Sequence, residues 1–275
     1  MALTLNLVGA GHVGRVLGRL FAAHGVFALQ DVVTRSQASA AAAIAFIEAG
    51  HACVDMAALR PAQVWLLAVN DDQIAQACAA LAAVHDLQGA VVFHCSGARA
   101  SGELEAARAR GARVASVHPI RSFADPEAVA RDFGGTWCGV EGDPEALALL
   151  APGFEAIGAR TVAIDAGAKT VYHAAAVFAS NYLVTVLDAA LRAYVAAGVP
   201  EAVARELVRP LASETMANVL RLGAPAALSG PVARGDHATV ARQAAALSAW
   251  DVPTGELYRA LVPLTADVAR RKHAS

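Results

Sequence analysis

The segment Gly9-Ala10-Gly11-His12-Val13-Gly14 decides the fold of this 275-residue chain. It sets three glycines in a G-x-G-x-x-G pattern, directly after the apolar run Leu3–Val8 and before residues 13–21, whose apolar side chains share one helical face. Glycines at this spacing allow a tight turn, a close backbone approach to phosphate and close packing of helix on strand. The pattern predicts a dinucleotide loop in which all six residues, Gly9 to Gly14, surround a pyrophosphate at the helix N-terminus.

Short apolar runs alternate with helical patterns up to residue 165. Further strands are predicted at residues 27–34, 64–69, 90–95, 113–117, 136–140 and 161–164. Beyond residue 165 only helices are predicted, at residues 168–197, 201–222, 237–249 and 254–272. Strands that alternate with helices form a parallel, doubly wound sheet. We therefore predict two domains, an α/β Rossmann domain over residues 1–165 and an all-α domain over residues 166–275.

The end of the second predicted strand indicates which dinucleotide is bound. An NAD site has an acidic residue there for the ribose hydroxyls, whereas this chain has Thr34, Arg35 and Ser36, and Asp31 comes too early for that role. An arginine with two hydroxyls is suited to a 2'-phosphate. NADP is therefore the predicted cofactor and NAD the alternative, with Val69 and Asn70, at the end of the 64–69 run, as further cofactor contacts.

Composition excludes several classes of protein. Hydrophobic residues make up 56% and charged residues 17%, which excludes a disordered chain. The net charge of -2, without a basic run, indicates neither a nucleic-acid partner nor an anionic membrane surface. The most apolar stretch, residues 174–199, is interrupted by Asn181, Asp188 and Arg192, so we predict a buried core helix and not a membrane span.

Cysteine usage and the N-terminus give further expectations. The four cysteines form no CxxC pair and have no metal-ligand spacing with histidine, so each is interpreted as a small buried hydrophobe and no metal site is predicted. The first strand begins without a preceding signal-peptide pattern. Both observations favour a reducing cytoplasm.

Four segments carry a resemblance to the 6-phosphogluconate-dehydrogenase-like superfamily. They are residues 94–98 (HCSGA), 116–123 (SVHPIRSF), 169–181 and 230–236 (GPVARGD). More narrowly, the chain resembles a bacterial family with a Rossmann-like N-terminal half and a C-terminal domain of unknown function, which is labelled NADP oxidoreductase by analogy with deazaflavin-dependent enzymes. The resemblance implies a 6-phosphogluconate-dehydrogenase-like all-α second domain and a homodimer.

Ser96 and His118 each end a predicted strand, at the edge where doubly wound sheets bind ligands. The Ser-Gly and His-Pro pairs are similar to those of prephenate dehydrogenases, in which the serine and histidine contact the substrate hydroxyl. A neutral histidine can accept a proton while hydride leaves the adjacent carbon. The alternative is that His118 ends the strand and Pro119 fixes the turn.

Lys169 and His173 lie four residues apart, on one face of the helix that opens the second half. In β-hydroxyacid dehydrogenases the resembling helix carries a lysine and then an asparagine, which is histidine here. The lysine can polarise a carbonyl and the histidine can relay a proton; the alternative for Lys169 is a place at a domain surface. Asn181 follows two turns later on roughly the same face, with either a ligand or a backbone group as its partner.

Arg121, Ser122 and Arg234 are the candidates for binding an anionic group of a substrate. The loop around Arg234 also fits a plain turn, with Asp236 as the cap of the next helix. Together with Ser96, His118, Lys169 and His173 as candidate catalytic residues, these features predict an NADP-dependent oxidoreductase. Its substrate would be a small, anionic hydroxy, keto or imine compound bound in an interdomain cleft. The alternative is a non-catalytic NADP(H)-binding sensor or assembly protein.

Overall fold

The computed structural model describes residues 2–272 and forms two compact units, the first ending at Phe178 and the second beginning at Ala179. The first unit contains one eight-stranded sheet. Its strands in chain order are β1 (Leu3–Val8), β2 (Phe27–Val33), β3 (His51–Cys53), β4 (Val64–Leu67), β5 (Val91–His94), β6 (Arg113–Pro119), β7 (Trp137–Gly142) and β8 (Arg160–Ala163).

The strands pair in the order β3-β2-β1-β4-β5-β6-β7-β8. The six strands from β3 to β6 are all parallel, which confirms the predicted doubly wound Rossmann sheet. Strand β7 runs antiparallel to β6, and β8 is parallel to β7. The single reversal follows from the connection after β6, whose only helix, at residues 126–131, packs on the first helix of the chain, so the strand returns beside β6 in the opposite direction.

Helices cover the strands of the first unit and pack on both faces. They are α1 (His12–Ala23), α2 (Gln37–Ile47), α3 (Ile74–Val84), α4 (Glu105–Arg108), α5 (Pro126–Arg131), α6 (Pro144–Ala156) and α7 (Lys169–Val177). One buried layer centres on Phe21, which meets Phe27 and Phe154 edge to face. The other contains Trp65 and Leu81. The two buried layers cover the faces of the sheet, so polar functional groups are expected at the ends of the strands.

The glycine loop is shaped by contacts with the segment that follows β4. Gly9 has φ +83°, and a Cβ there would lie 2.7 Å from the backbone oxygen of Ala68. At Gly14 a Cβ would lie 2.6 Å from the Cβ of Ala68, so only glycine lets α1 pack this closely. The first and third glycines of the motif therefore serve the turn and the packing of helix on strand, as predicted.

The second unit is helical in the described residues, as predicted. A π-helical turn, Phe178–Tyr182, follows α7 and crosses the boundary between the units. Then come α8 (Leu183–Ala196), α9 (Glu201–Leu222), α10 (Ala224–Ala227), α11 (His237–Trp250) and α12 (Val252–Lys272). The first compact unit extends beyond the predicted boundary at residue 165 because α7 begins with a lysine that is buried in the first unit.

The helix predicted as a buried core element is exposed in the single chain. Residues 166–196 are long and apolar enough to cross a membrane by length and composition, with a mean hydropathy of 1.5, and none of the window tested is buried. The prediction of a buried core helix is therefore wrong for the single chain. The physical reason is that the second unit has almost no interior of its own: among its described residues only Ala204, Thr254 and Gly255 are buried.

Candidate functional site

The predicted dinucleotide loop opens into a cleft of about 450 Å³ at the carboxyl ends of β1, β2 and β4. Seven of the predicted cofactor residues line it: Gly9, Ala10, Gly11, Thr34, Arg35, Val69 and Asn70. At Gly11 a Cβ would meet nothing within 4 Å, so the backbone is open to a bulky group. Gly11 caps α1 without a side-chain hydrogen bond, which leaves the first N–H groups of the helix for an anion. The residues present therefore fit a pyrophosphate.

The other four predicted cofactor residues have structural contacts and do not line the cleft. His12 Nδ1 lies 2.7 Å from the backbone oxygen of Phe123. Val13 packs against the core, and Gly14 packs against Ala68. Ser36 accepts a hydrogen bond from the Ser39 N–H at 3.2 Å and so caps α2.

Beyond the end of β2, Arg35 is exposed and makes no hydrogen bond or ion pair with any other residue between positions 2 and 272. Asp31, the only acid of β2, is occupied: its Oδ1 lies 2.6 Å from Nη2 of Arg60. Burial alone would raise the pKa of Asp31, but the hydrogen bonds from Arg60 outweigh it and lower that pKa. The strand end thus presents a free cation and no free carboxylate.

Arg15 and Ser39 also line the cleft and were missed from the sequence. Arg15 Nε donates to the backbone oxygen of Ala10 at 2.8 Å, so the guanidinium stabilises the glycine loop from within the first turn of α1. No sequence signal distinguishes this arginine from others on helix surfaces.

A second polar site lies where β5 and β6 end, at the same carboxyl edge of the sheet. His118 of β6 and His173 of α7 approach each other with ring centroids 5.7 Å apart. A Cβ on Gly97, just after β5, would lie 2.3 Å from Nδ1 of His173 and 2.8 Å from Nε2 of His118. Glycine is therefore required between the two rings. We call His118, His173 and Gly97 the imidazole notch.

Tyr172 is a functional candidate that sequence reasoning passed over. Its phenol oxygen lies 2.9 Å from Nδ1 of His118. Burial raises the pKa of Tyr172 to about 12, and a hydrogen bond from the Gly139 backbone opposes that rise. When the phenol O–H donates to Nδ1 of His118, the neutral imidazole carries its hydrogen on Nε2.

His118 is held neutral. Its burial, together with the electrostatic effects of His173 and Lys169, lowers its pKa to about 4. Nδ1 of His173 is the one buried side-chain nitrogen or oxygen without a hydrogen-bond partner in the part of the chain that the structure describes. The notch therefore combines a fixed neutral imidazole with an imidazole nitrogen that has no protein partner.

Lys169 was predicted to be catalytic, but in the structure its side chain is buried and its ammonium group has a full set of hydrogen-bond acceptors. It is 1% exposed, and Nζ donates to the backbone oxygen of Ser96 at 2.8 Å, to Ser116 Oγ and to Glu141 Oε1 at 3.4 Å. Glu141 in turn accepts from the Ser101 N–H and hydroxyl at 2.8 and 2.7 Å. Burial lowers the pKa of Lys169 and the Glu141 charge opposes this. With all three ammonium hydrogens used, Lys169 ties α7 to the sheet.

The Ser96 hydroxyl also stabilises the fold locally. Its hydroxyl accepts hydrogen bonds from the backbone N–H groups of Ala98 and Arg99 at 3.2 and 2.9 Å, which closes the turn after β5. The neighbouring His94 is buried, with Nδ1 accepting from the Ser96 N–H at 3.1 Å and Nε2 donating to Ala100 at 3.2 Å. The turn that places Gly97 between the two rings is therefore held at several points.

The predicted anion-binding residues are dispersed. Arg121 is paired with Asp132, at 3.1 Å between Nη2 and Oδ2, and Ser122 is exposed. Asn181 lies in the π-helical turn and Arg234 in a loop, both exposed and both in the second unit.

The cofactor cleft and the imidazole notch lie at the same carboxyl edge of the sheet. Asp71 directly follows Asn70 of the cleft, and its charge raises the pKa values of both His118 and Lys169 against the larger lowering effects. In addition, His12 at the start of α1 contacts the loop after β6. A dinucleotide held by the glycine loop would extend along one sheet edge towards the notch.

Comparison with known proteins identifies both parts of the chain. A model of a Rossmann-like domain matches residues 1–119, and a model of a domain of unknown function, DUF2520, matches residues 136–265. The chain carries a Rossmann-like domain followed by a DUF2520 domain. This confirms the narrower resemblance, to a family with a Rossmann-like N-terminal half and a C-terminal domain of unknown function. No curated protein sequence matched the chain.

Three solved structures are similar along almost the whole chain. The protein BF3122 of Bacteroides fragilis, described as a "putative NADP oxidoreductase", has a TM-score of 0.80 and 20% identity and covers 97% of this chain and 98% of its own. Protein TM1727 of Thermotoga maritima has a TM-score of 0.75 and 26% identity, with 98% and 100% covered. A reductive aminase of Aspergillus terreus, in complex with NADPH and ethyl-5-oxohexanoate, has a TM-score of 0.68 and 18% identity, with 98% and 95% covered.

Proposed function

We propose that this DUF2520 protein is an NADP(H)-dependent oxidoreductase that transfers hydride to or from a small hydroxy, keto or imine compound. The observation that carries the proposal is the position of the imidazole notch. It lies at the same sheet edge as a glycine-loop cleft that fits a dinucleotide, within one compact unit. Bound NADPH would supply the hydride, and the chain's own residues would orient the substrate and handle the proton.

The preference for NADP over NAD rests on the end of β2. Arg35 is unpaired there, and the only acid of the strand, Asp31, is occupied by Arg60. A free guanidinium beside the N-terminus of α2 is suited to the 2'-phosphate, whereas the ribose hydroxyls of NAD favour an acid. The NADPH complex of the similar reductive aminase supports the same preference.

We assign the proton transfer to the imidazole notch. Of the four candidate catalytic residues, Lys169 has its ammonium group engaged by the protein and Ser96 Oγ accepts two backbone hydrogen bonds, while His118 and His173 direct nitrogens towards Gly97. General acid–base catalysis by a positioned side chain typically contributes a factor of about 10²–10⁴ in rate. We therefore assign the proton transfer to the two histidines, and Lys169 to positioning.

The second unit is proposed to pair with a second copy of this chain. Its helices leave large apolar side chains in solvent, among them Leu220 at 83% exposure, Val184 at 66% and Leu264 at 63%. Exposed apolar surface of this extent marks an interaction surface. Light scattering should give the mass of a homodimer. A monomeric mass would contradict the proposal, and recovery in the membrane fraction would indicate instead that residues 166–196 enter a bilayer.

The function is tested with paired titrations and a substrate panel. NADPH and NADH are titrated into the protein, and NADPH oxidation is then followed with ketones, keto acids and cyclic imines, each keto acid alongside its ethyl ester. We expect tighter binding of NADPH and turnover of at least one class. Faster turnover of the free acids would support an anionic substrate. Tight binding without turnover would favour the non-catalytic sensor, and NADH binding as tight as NADPH would defeat the NADP assignment.

A further inference from the structure

The two histidines of the imidazole notch have different partners. Nδ1 of His118 is 2.9 Å from the Tyr172 phenol, whereas Nδ1 of His173 has no partner among residues 2–272. A buried polar atom without a hydrogen bond costs about 1–3 kcal/mol, so such an atom is uncommon unless a ligand or a water completes it. The difference indicates separate roles for the two rings.

The Tyr172 contact can select one tautomer of His118. With the phenol O–H donating to Nδ1, the hydrogen of His118 lies on Nε2, which faces Gly97, and a neutral imidazole of this kind is a hydrogen-bond donor. A neutral histidine that polarises a carbonyl is a known catalytic arrangement. His118 thus has the geometry of a fixed donor.

His173 presents the complementary atom. Its Nδ1 and the Nε2 of His118 lie 2.3 and 2.8 Å from the position that a Cβ on Gly97 would take, so the two nitrogens are near enough to each other that one ligand atom, placed away from the Gly97 backbone, can reach hydrogen-bond distance of both. The charged or titratable groups around the pair are Lys169 and Tyr172 on the same helix, and Asp71 after β4. Lys169 is bound to Glu141 and Tyr172 to His118, which leaves Nδ1 of His173 as the ring nitrogen of the pair without a protein partner.

Building on the proposed function, we propose that His173 exchanges the proton with the substrate, that His118 donates a fixed hydrogen bond to the same substrate atom, and that Tyr172 is the positioning residue that sets the His118 tautomer. In the reducing direction the carbonyl carbon gains a hydride, with its electron pair, from NADPH. The C=O π pair moves to the oxygen, which takes the proton from Nδ1 of protonated His173. The products are an alcohol, NADP+ and neutral His173.

The arrangement also selects the substrate class. Two N–H donors that converge on one atom suit a carbonyl oxygen, which has two lone pairs, better than an imine nitrogen, which has one. A small ketone or aldehyde is therefore the preferred substrate, and a cyclic imine of the same ring size and charge is the matched comparison.

The inference is tested by two measurements on Tyr172→Phe, His173→Asn and His173→Gln. The first is nitrogen-15 NMR of histidine-labelled, cofactor-free protein between pH 5.5 and 8, which reports protonation and tautomer without any turnover. We expect His118 to stay neutral with its hydrogen on Nε2 in the wild-type protein and in both His173 variants, and to become a tautomer mixture in Tyr172→Phe. A wild-type His118 that titrates in this range, or carries its hydrogen on Nδ1, would overturn the tautomer assignment whether or not the protein proves to be an enzyme.

The second measurement is the pH dependence of ketone reduction. Both His173 variants should lose about 100-fold or more in kcat and lose the decline of kcat with rising pH, with unchanged affinity for NADPH. Tyr172→Phe should lower kcat less and keep that decline. Variants of His173 that retain the wild-type pH profile, or equal rates for the ketone and the matched imine, would refute the assigned roles. Absence of turnover on every substrate would instead count against the proposed function.

Discussion

Lys169 and Glu141 form a buried ion pair, with Nζ 3.4 Å from Oε1 and exposures of only 1% and 6%. The pair joins the first turn of α7 to β7, and Ser101 and Ser116 complete its hydrogen bonds. Removing one partner of such a pair leaves an uncompensated buried charge, which is more costly than removing both.

Lys169→Met should therefore lower the free energy of unfolding by about 3–5 kcal/mol, the cost typical of breaking a buried pair. Urea unfolding measures this directly. The double variant Lys169→Met with Glu141→Gln should recover part of the loss, because a neutral amide can still bond to Ser101. A Lys169→Met protein as stable as wild type but without activity would return Lys169 to a catalytic role.

Gly97→Ala tests the imidazole notch. The added methyl group would lie 2.3 Å from Nδ1 of His173 and 2.8 Å from Nε2 of His118, so one or both rings must move. We expect turnover to fall by a factor of about 100 or more, the contribution of a positioned acid, while NADPH affinity stays unchanged. Gly102→Ala is the matched control, since a Cβ there meets nothing within 4 Å. Wild-type rates in Gly97→Ala would show that the notch does not hold the reacting group.

Arg35→Ala tests cofactor selection. A charge-assisted hydrogen bond contributes about 1.5–3 kcal/mol, so the affinity for NADPH should fall about tenfold or more, while that for NADH changes little. Calorimetric titration of both cofactors gives the two values. Arg110→Ala, on a surface that does not line the cleft, serves as the control. Equal losses of affinity for NADPH and NADH would show that Arg35 does not bind the 2'-phosphate.

The buried histidines predict how stability depends on pH. Burial lowers the pKa of both His94 and His118 to about 4, below the ordinary value of 6.5. Between these pH values the unfolded chain binds more protons than the folded one, so the free energy of unfolding should decrease as the pH falls from about 6.5 towards about 4. Each pKa unit corresponds to about 1.4 kcal/mol. Thermal unfolding between pH 7 and pH 4 measures the slope.

His94→Gln should flatten that slope, and the exposed His24→Gln should leave it unchanged. An equally steep decline in His94→Gln would mean that the acid sensitivity arises from other groups.

Local patterns were sufficient to predict the glycine loop, the strands of the parallel sheet and the helical second half, because hydrophobic periodicity and glycine spacing act over a few residues. The three-residue strand β3 was missed, since so short a run has no periodicity. The reversal of β7 was also missed because it depends on where α5 packs. The π-helical turn Phe178–Tyr182, in which Asn181 lies, was not predicted from the sequence.

The roles of the site residues could be predicted only in part, because they depend on the surroundings of each side chain. The sequence placed Lys169 and His173 on one helix face, but the burial of Lys169 depends on Glu141 and Ser116, which are distant in the chain. Tyr172 was overlooked because its partner, His118, lies 54 residues earlier. Such roles become visible only when the sheet brings the strand ends together.

The proposed hydride transfer is tested most directly by following a labelled hydride. The protein is incubated with NADPH that carries deuterium at nicotinamide C4, on one face at a time, together with the panel of ketones and imines, and the products are analysed by mass spectrometry. We predict that one deuterium appears on the reduced carbon, from one face of the cofactor only, and that this transfer is about 100-fold or more slower in His173→Asn. Tight NADPH binding without deuterium transfer to any compound would contradict it.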